Sequence, residues 1–427
     1  MGLSGVRSGK RPVRKNIAVI FFKGGTIGAK AIQIKEGVWW VGVEDKDLRI
    51  FDIVVPTAYG TTYNSYLVKG EKIALIDAVK KGFKEQLLSR IQSVTELDQI
   101  KYLIVNHTEP DHSGCIAELI DLIPNITLVF SKTAKLFAEH IVHRQVDSIV
   151  VDDGEELDLG GKTLKFISAP FLHWPDTMFT YLMEGKILFP CDAFGSHYCG
   201  EDIFNDQLKS PQSAFNAFKH YYNHILRPFK SHILKALDKI ENLNIDIIAP
   251  SHGPVLRTDP KEYVEWYKRW SEFPTKNDTK KVAVIYVSAY GNTQKMAKHI
   301  AGGLKEKGIE VFLLDAAETD MDSIINKIES SDGVLFGTPT LNAKAPKPIL
   351  DVISNLVLLN VRGKPAGVFG SYGWSGEAVQ MMEEILKSIG FRIKEEGLKV
   401  RFVPTVEDEQ RCEEFGRKFA ENLVAQG

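Results

Sequence analysis

The stretch His107-Thr108-Glu109-Pro110-Asp111-His112 places four metal-capable side chains within six residues, directly after the apolar run Tyr102-Leu103-Ile104-Val105 and before Ser113-Gly114. Alternate residues of an extended segment share a face. The spacing therefore predicts His107, Glu109 and Asp111 pointing into one cavity while His112 approaches from another side, a geometry that suits two metal ions better than one. The plain alternative is a solvated turn. Four ligand types at alternating spacing, at the end of a strand that reads as buried, argue against it.

Outward from this motif the chain alternates strand and helix. Short strands are predicted over 38–43, 63–68 and 73–77, separated by turns such as Tyr59-Gly60 and Lys69-Gly70, and helical periodicity covers 83–91. Beyond the motif, helix is predicted over 115–122, 133–143 and much of 211–243, and strand over 126–130, 164–167, 186–189 and 245–249. Three further ligand types follow strands: His173, Asp192 and His252. Loops beyond strand ends converge on one rim in layered α/β folds, so these side chains are candidates for the same site. His197 and Tyr198, shortly after Asp192, are candidate donors of hydrogen bonds or protons to it. His220 and His224 stand four apart on a helix without the intervening Glu of a zinc-protease motif, and read as helix surface or partial burial. His140, His143, His232 and His299 also lack a carboxylate-rich turn.

At 427 residues the chain is long for a single core, and two domains are expected. Its 44% hydrophobic and 25% charged residues are those of an ordinary globular protein, and the net charge of −2 gives no general attraction to nucleic acid. The cysteines Cys115, Cys191, Cys199 and Cys412 form no CxxC pair, which excludes a zinc ribbon, an iron–sulfur cluster and a rubredoxin-like site. Scattered thiols fit a cytoplasmic location. Near the amino end, basic residues precede Ile17-Ala18-Val19-Ile20-Phe21-Phe22, but Lys23 and two glycines stop this run short of a signal peptide, and no stretch reaches a membrane span. The expected organisation is an extension at 1–35, a first domain at 36–275 and a second at 276–427, with the linker where Pro274, Asn277 and Asp278 interrupt the periodicity.

The second domain opens on a continuous apolar strand over 282–287, with further strands over 311–314, 333–336 and 366–369 alternating with helices, which predicts a doubly wound parallel sheet. Ser288-Ala289-Tyr290-Gly291-Asn292-Thr293 lies between the first strand and first helix. Its hydroxyls, amide and helix-start N–H groups suit a phosphate, yet it matches neither a P-loop nor GxGxxG. Thr338-Pro339-Thr340-Leu341-Asn342 and Ser371-Tyr372-Gly373-Trp374-Ser375-Gly376 follow later strands and suit a flat aromatic ligand. Each turn alone could be a helix cap; three at one rim point to a binding site.

On these residues the carboxyl domain resembles flavodoxin, and the amino domain resembles the metallo-β-lactamase fold, an αββα sandwich of sheets covered by helices. Together they resemble the flavodiiron proteins, oxygen and nitric oxide reductases, over about residues 37–427. The resemblance implies FMN on the three turns of the second domain. It also implies two non-haem irons, one held by His107, Glu109 and His173, the other by Asp111, His112 and His252, with Asp192 bridging. Zinc hydrolases of this fold usually show HxHxDH, and Glu109 in place of the second histidine gives a harder, more anionic site that favours iron. The family further implies a head-to-tail homodimer or dimer of dimers, in which one chain's flavin faces the other's iron pair. With no CxxC module after the second domain, it also implies a separate electron donor such as rubredoxin. The competing reading is a zinc-dependent hydrolase with a regulatory flavodoxin domain. No nucleic-acid or membrane partner is expected.

Overall fold

The computed structural model describes residues 30–272 and 279–425. The basic amino-terminal run, the signal-like segment and the linker positions Pro274, Asn277 and Asp278 lie outside the described residues.

Both expected architectures are present. In the first unit a seven-stranded sheet runs in the order Ile32–Lys35, Val38–Trp40, Tyr66–Lys69, Ile73–Ile76, Ile100–Val105, Thr127–Ser131, Ser148–Val151. Its first half is antiparallel, and it becomes parallel from the Ile73–Ile76/Ile100–Val105 pair onward. A five-stranded sheet, in the order Glu156–Asp158, Thr163–Ser168, Met178–Leu182, Ile187–Phe189, Ile247–Ile248, packs face to face with it. Trp40, Tyr66, Val68, Ala74, Ile76 and Ile104 from the first sheet meet Phe166, Leu182, Phe189 and Ile247 from the second in one buried cluster. Outer helices such as Lys84–Gln92, Lys132–Val142, Lys230–Ile240 and Pro260–Ser271 complete the sandwich. The strand Ile32–Lys35 begins inside the segment expected to be an extension; Lys35 anchors it through an ion pair to Asp246 at 3.0 Å.

Two predicted strands divide. The run at 38–43 becomes Val38–Trp40 and Val43–Asp45 in different sheets, and the run at 63–68 becomes Thr61–Tyr63 and Tyr66–Lys69. The break falls at Asn64, which is recruited to another task. Its amide Nδ2 donates to the carbonyls of Pro250 and Gly253 at 2.7 and 2.9 Å, and its Oδ1 accepts from Trp40 Nε1 at 2.8 Å. One buried amide thus fixes the turn that presents His252.

The second unit is a parallel sheet in the order Glu310–Asp315, Lys281–Tyr286, Gly333–Pro339, Pro365–Tyr372, with Arg392–Ile393 and Leu398–Arg401 both pairing the last of these. Helices cover both faces, one over the cluster of Ile324, Ile349 and Met382, the other over Met296, Ile300 and Phe419. The strand order reverses beside Lys281–Tyr286, and the crevice beyond such a switch point is where open α/β sheets bind ligands. No described helix is long and apolar enough to cross a membrane.

The two units touch through side chains. On the helical stretch that includes a π-turn at Tyr222–Leu226, Arg227 donates to Glu329 at 2.7 Å and to Asn326 at 2.8 Å, and Lys230 pairs with the other oxygen of Glu329 at 2.9 Å. Arg227 is buried, and a planar guanidinium held by two acceptors fixes orientation better than a point charge would.

Candidate functional site

The strand Ile100–Val105 delivers Asn106 and His107 to the end of the sheet, as expected, but the motif does not stay extended. Pro110 stands at the first position of a short helical turn, Pro110–Ser113, for which its fixed φ is suited. The turn changes the direction from which Asp111 and His112 arrive, yet the whole motif still faces one buried cavity around Asp192, with the His107 and His112 rings 5.2 Å apart.

Asp192 sits in a tight turn after Ile187–Phe189, next to Cys191 in the left-handed region (φ 53°), and is buried. Its Oδ2 lies 3.5 Å from His107 Nε2 and 3.7 Å from His173 Nε2. Its Oδ1 lies 3.2 Å from His112 Nε2 and 3.4 Å from His252 Nε2. Glu109 Oε2 completes the first group, 2.8 Å from His173 and 3.3 Å from His107. Asp111 completes the second, 3.3 Å from His112 and 3.1 Å from His252. One carboxylate thus offers one oxygen to each of two three-residue sets.

In the second set the donor atoms converge rather than pair. Both carboxylate oxygens of Asp111, and Nε2 of His112 and His252, are buried without a hydrogen-bond partner. Orphaned polar atoms of this kind are rare in a native interior unless something else satisfies them. The histidines are also oriented from behind. His107 Nδ1 donates to Asp176 Oδ2 at 3.2 Å, and His252 Nδ1 donates to the Thr62 carbonyl at 2.7 Å, which leaves each Nε2 facing the cluster. Asp176 is itself held by the backbone N–H and hydroxyl of Thr108, both at 2.8 Å. Such outer hydrogen bonds set the tautomer of a metal-binding imidazole. The residues fit a pair of metal ions.

Charge in the metal-free site follows from this crowding. Burial pushes the imidazole of His107 down, but Asp176, Glu109 and Asp192 outweigh it and lift the group to about 10. His112 and His252 likewise rise to about 10 against their burial, driven by Asp111 and Asp192. Burial works against the Asp192 charge, yet His112, His252 and His107 hold its carboxyl well below the usual range. A folded pKa above the ordinary 6.5 means that the metal-free protein draws stability from these imidazolium ions below pH 6.5, and loses it as pH rises toward 10. Metal must displace those protons. Apparent metal affinity of the stripped protein is therefore expected to climb steadily between pH 6.5 and about 10, measured by chelator competition; an affinity flat over that range would contradict this.

His197 packs inside the site. Its ring lies 4.5 Å from Phe51, 4.8 Å from Tyr221 and 5.4 Å from His252, its Nδ1 is 3.0 Å from the Thr61 hydroxyl, and its Nε2 is buried and unpartnered. Tyr198 turns the other way, against Tyr59 at 5.4 Å and into a small cluster with Ala214 and Ala217. The phenol that reaches the cluster is Tyr221, whose OH donates to Asp192 Oδ1 at 2.9 Å from the end of the helix Pro211–Tyr221. Sequence reasoning missed it because nothing in a helical run tells which tyrosine ends beside a distant carboxylate. Asp52, also missed, sits in the left-handed region (φ 45°) between Ile50–Phe51 and Val55–Pro56. Burial and the neighbouring Glu109 raise its carboxyl to about 6.

In the second unit the three turns gather at the carboxyl ends of adjacent strands. Ser288 Oγ accepts from the Gln294 N–H, and Gly291, with φ 81°, starts the helix Asn292–Glu306. Thr293 and Ser371 share a hydrogen bond at 2.8 Å, and the Thr340 N–H donates to the Ser371 carbonyl at 2.9 Å, which ties all three turns together. Thr340 Oγ1 is buried without a partner. On the other two turns Tyr290 and Trp374 are 88% and 77% exposed. An unpartnered hydroxyl and uncovered rings at one rim suit the polar edge and flat face of a flavin. Ala289, Asn292, Thr338, Pro339, Asn342, Tyr372, Gly373, Ser375 and Gly376 complete these turns.

A sandwich whose buried histidines and carboxylates fit two metal ions, joined to a doubly wound parallel sheet with a ligand crevice, has the makings of a two-cofactor redox protein. Family models agree: residues 61–253 match the ODP family beta lactamase and residues 284–416 match flavodoxin. A flavo-diiron protein of Clostridium acetobutylicum is 40% identical over 398 residues, covering 92% of this chain and 100% of that one. A nitric oxide reductase of Moorella thermoacetica is 38% identical over 401 residues, covering 93% and 100%. Among solved structures, rubredoxin oxygen:oxidoreductase from Desulfovibrio gigas superposes with a TM-score of 0.72 at 31% identity, covering 93% of this chain and 99% of that one. The chain belongs to the flavodiiron protein family.

Proposed function

We propose that the protein is a flavodiiron oxidoreductase that reduces oxygen to water, nitric oxide to nitrous oxide, or both. The observation that carries this reading is Asp192, with one carboxylate oxygen turned to His107, Glu109 and His173 and the other to Asp111, His112 and His252. When bound, FMN supplies the electrons and the iron pair supplies the place where a diatomic gas is reduced: four electrons and four protons per oxygen, or two of each per pair of nitric oxide molecules. The seven side chains would hold the irons, and the turns at Ser288–Thr293, Thr338–Asn342 and Ser371–Gly376 would hold the flavin.

The remaining site residues orient and exclude. Asp176 and the Thr62 carbonyl fix the rings of His107 and His252, while Phe51 and the His197 ring close the pocket against water. Tyr221 donates its hydroxyl hydrogen bond to Asp192, orienting the carboxylate that would be shared by the two metals. Tyr221→Phe is expected to keep iron and FMN at wild-type content while lowering gas turnover by about tenfold, the lower range for residues that support metal ligands. Unchanged turnover would remove Tyr221 from the machinery.

Two details rest on the family. Electrons come from a separate small donor such as rubredoxin, and the chains pair head to tail, in a dimer or dimer of dimers, with one flavin against the partner's iron site. Exposed apolar side chains lie near both sites, Ile53 and Val54 beside the metal pocket and Tyr290, Trp374 and Phe402 beside the flavin turns, which suits such pairing. A cytoplasmic location accords with a reduced donor.

Anaerobic turnover with chemically reduced rubredoxin tests the function, with oxygen and nitric oxide supplied in separate runs. Consumption of either gas by protein loaded with iron and FMN supports it, and the rate ratio ranks the substrates. Stoichiometric zinc and no gas consumption would instead support the hydrolase reading.

A further inference from the structure

The contact between the two units grips one end of the parallel sheet, while the flavin turns occupy the other end. Arg227 Nε and Nη2 donate to Glu329 Oε2 at 3.2 and 2.7 Å, Nη2 also donates to Asn326 Oδ1 at 2.8 Å, and Lys230 pairs with Glu329 Oε1 at 2.9 Å. Both oxygens of one carboxylate are thus taken up by cations of the metal unit. The side chains of Arg227 and Lys230 are only 8% and 13% exposed. Burial works against the Glu329 charge, yet Arg227 and Lys230 hold its carboxyl below the usual range, so it is ionised at pH 7. Breaking such a pair from one side is costly, because it leaves the remaining charge buried without a partner.

Each side of this clamp is anchored in its own unit. Arg227 directly follows the π-turn Tyr222–Leu226, where the Tyr222 hydroxyl shares a hydrogen bond with Ser271 Oγ at 2.9 Å and its ring packs 5.1 Å from both Tyr267 and Trp270. On the other side, Asn326 and Glu329 lie in the last turns of the helix Met321–Ser330, and Lys364 Nζ donates to the carbonyls of Ile328, Glu329 and Ser331 at 2.7, 3.1 and 2.6 Å. The helix leads into the strand Gly333–Pro339, and Lys364 directly precedes the strand Pro365–Tyr372. Those two strands run from the clamp to the turns Thr338–Asn342 and Ser371–Gly376. At roughly 3.3 Å per residue, Gly333–Pro339 makes a lever about 20 Å long, so a tilt of about 5° at the clamp displaces the turns by roughly 2 Å.

We propose that Arg227 is a positioning residue for electron delivery: with Lys230 it clamps Glu329 and Asn326, and so sets the angle at which the flavodoxin unit presents its flavin turns to a metal centre. The inference rests on the reductase reading. Units joined by a chain segment change their relative orientation unless the boundary holds them. A planar guanidinium with two acceptors fixes an angle, which a point charge does not. Arg227 touches neither cofactor position; it acts through the two strands that carry the turns.

The test compares wild-type and Arg227→Met holoprotein, both first shown to carry full iron and FMN, by stopped-flow absorbance and by small-angle X-ray scattering. Anaerobic reduction of the flavin by a chemically reduced donor is expected to be unchanged. Reoxidation of the flavin on mixing with oxygen, corrected for the direct reaction seen in metal-free protein, is expected to slow at least about tenfold, since small misplacements of reacting groups carry large rate costs. The scattering profile of the variant is expected to differ from wild type. Arg227→Lys, which keeps the charge and so guards against a failure to fold, is expected to slow reoxidation by roughly threefold, because it loses the planar fork. Wild-type reoxidation in Arg227→Met would overturn the role, and so would slow reoxidation with a scattering profile identical to wild type. A wild-type protein whose flavin reoxidises no faster than in metal-free protein would instead overturn the reductase reading, and the scattering comparison would still decide whether Arg227 fixes the two units.

Discussion

Asp192→Ala is expected to empty both metal positions at once while leaving the flavin in place. The carboxylate lies within 3.7 Å of four imidazole nitrogens, two in each set. Removing a group that only supports a ligand costs roughly 10- to 100-fold in metal affinity, so deleting the shared ligand is expected to cost more than about 100-fold. The loss extends beyond the metal. Asp192 is among the charges that lift His107, His112 and His252, so without it the buried imidazoles repel one another and give up protons more readily. Iron analysis, flavin absorbance and gas uptake on the same preparation check this. Iron near zero, FMN unchanged and uptake at background is the expected pattern. Retention of one iron per chain would mean that the two sets do not depend on a common bridge. Asp192→Asn separates charge from shape, because it keeps the volume and an acceptor oxygen.

The largest effect on stability is expected far from either cofactor. Where the helices Asn292–Glu306 and Val406–Val424 cross, a Cβ on Gly303 would lie 2.0 Å from the Glu413 carbonyl, and one on Gly416 would lie 2.3 Å from the Ile300 carbonyl. Both obstacles are backbone, so no rotamer change relieves them. Two mutual contacts of this kind let the helices approach more closely than any side chain permits. Lys295–Glu409 and His299–Glu413 pairs then flank the crossing. Gly303→Ala is expected to cost about 3 kcal/mol, the upper part of the range for overpacking a tight interior. For a domain of this size that lowers the midpoint of the flavodoxin unit's unfolding by roughly 6–12 °C. Flavin fluorescence during thermal unfolding reports it, because released FMN brightens while the metal-domain transition stays in place. A midpoint within a degree of wild type would show that the helices can separate at little cost.

These effects mark what could be read from the chain alone. The side chains that gather around Asp192 were legible because each follows a strand in a turn that local chemistry specifies. The arrangement around them was less so. Pro110 turns the end of the motif into a helical segment, which an extended reading of the motif does not foresee. Asn64 interrupts a run that otherwise reads as one strand, because its amide is needed by the turn carrying His252. Tyr221 and Asp176 matter through contacts with residues 29 and 69 positions away, and no periodicity encodes such a pairing. The gathering of the three turns of the second unit was legible, since strand-to-helix turns at one rim of a parallel sheet must converge.

The most direct test of the two-metal account is anomalous diffraction at the iron edge from crystals of the protein purified with its native metals. The account requires two iron peaks about 3.5–4 Å apart, the usual separation in two-metal sites, one bound by His107, Glu109 and His173, the other by Asp111, His112 and His252, and both touching Asp192. A single peak, or peaks that appear at the zinc edge and not the iron edge, would contradict it.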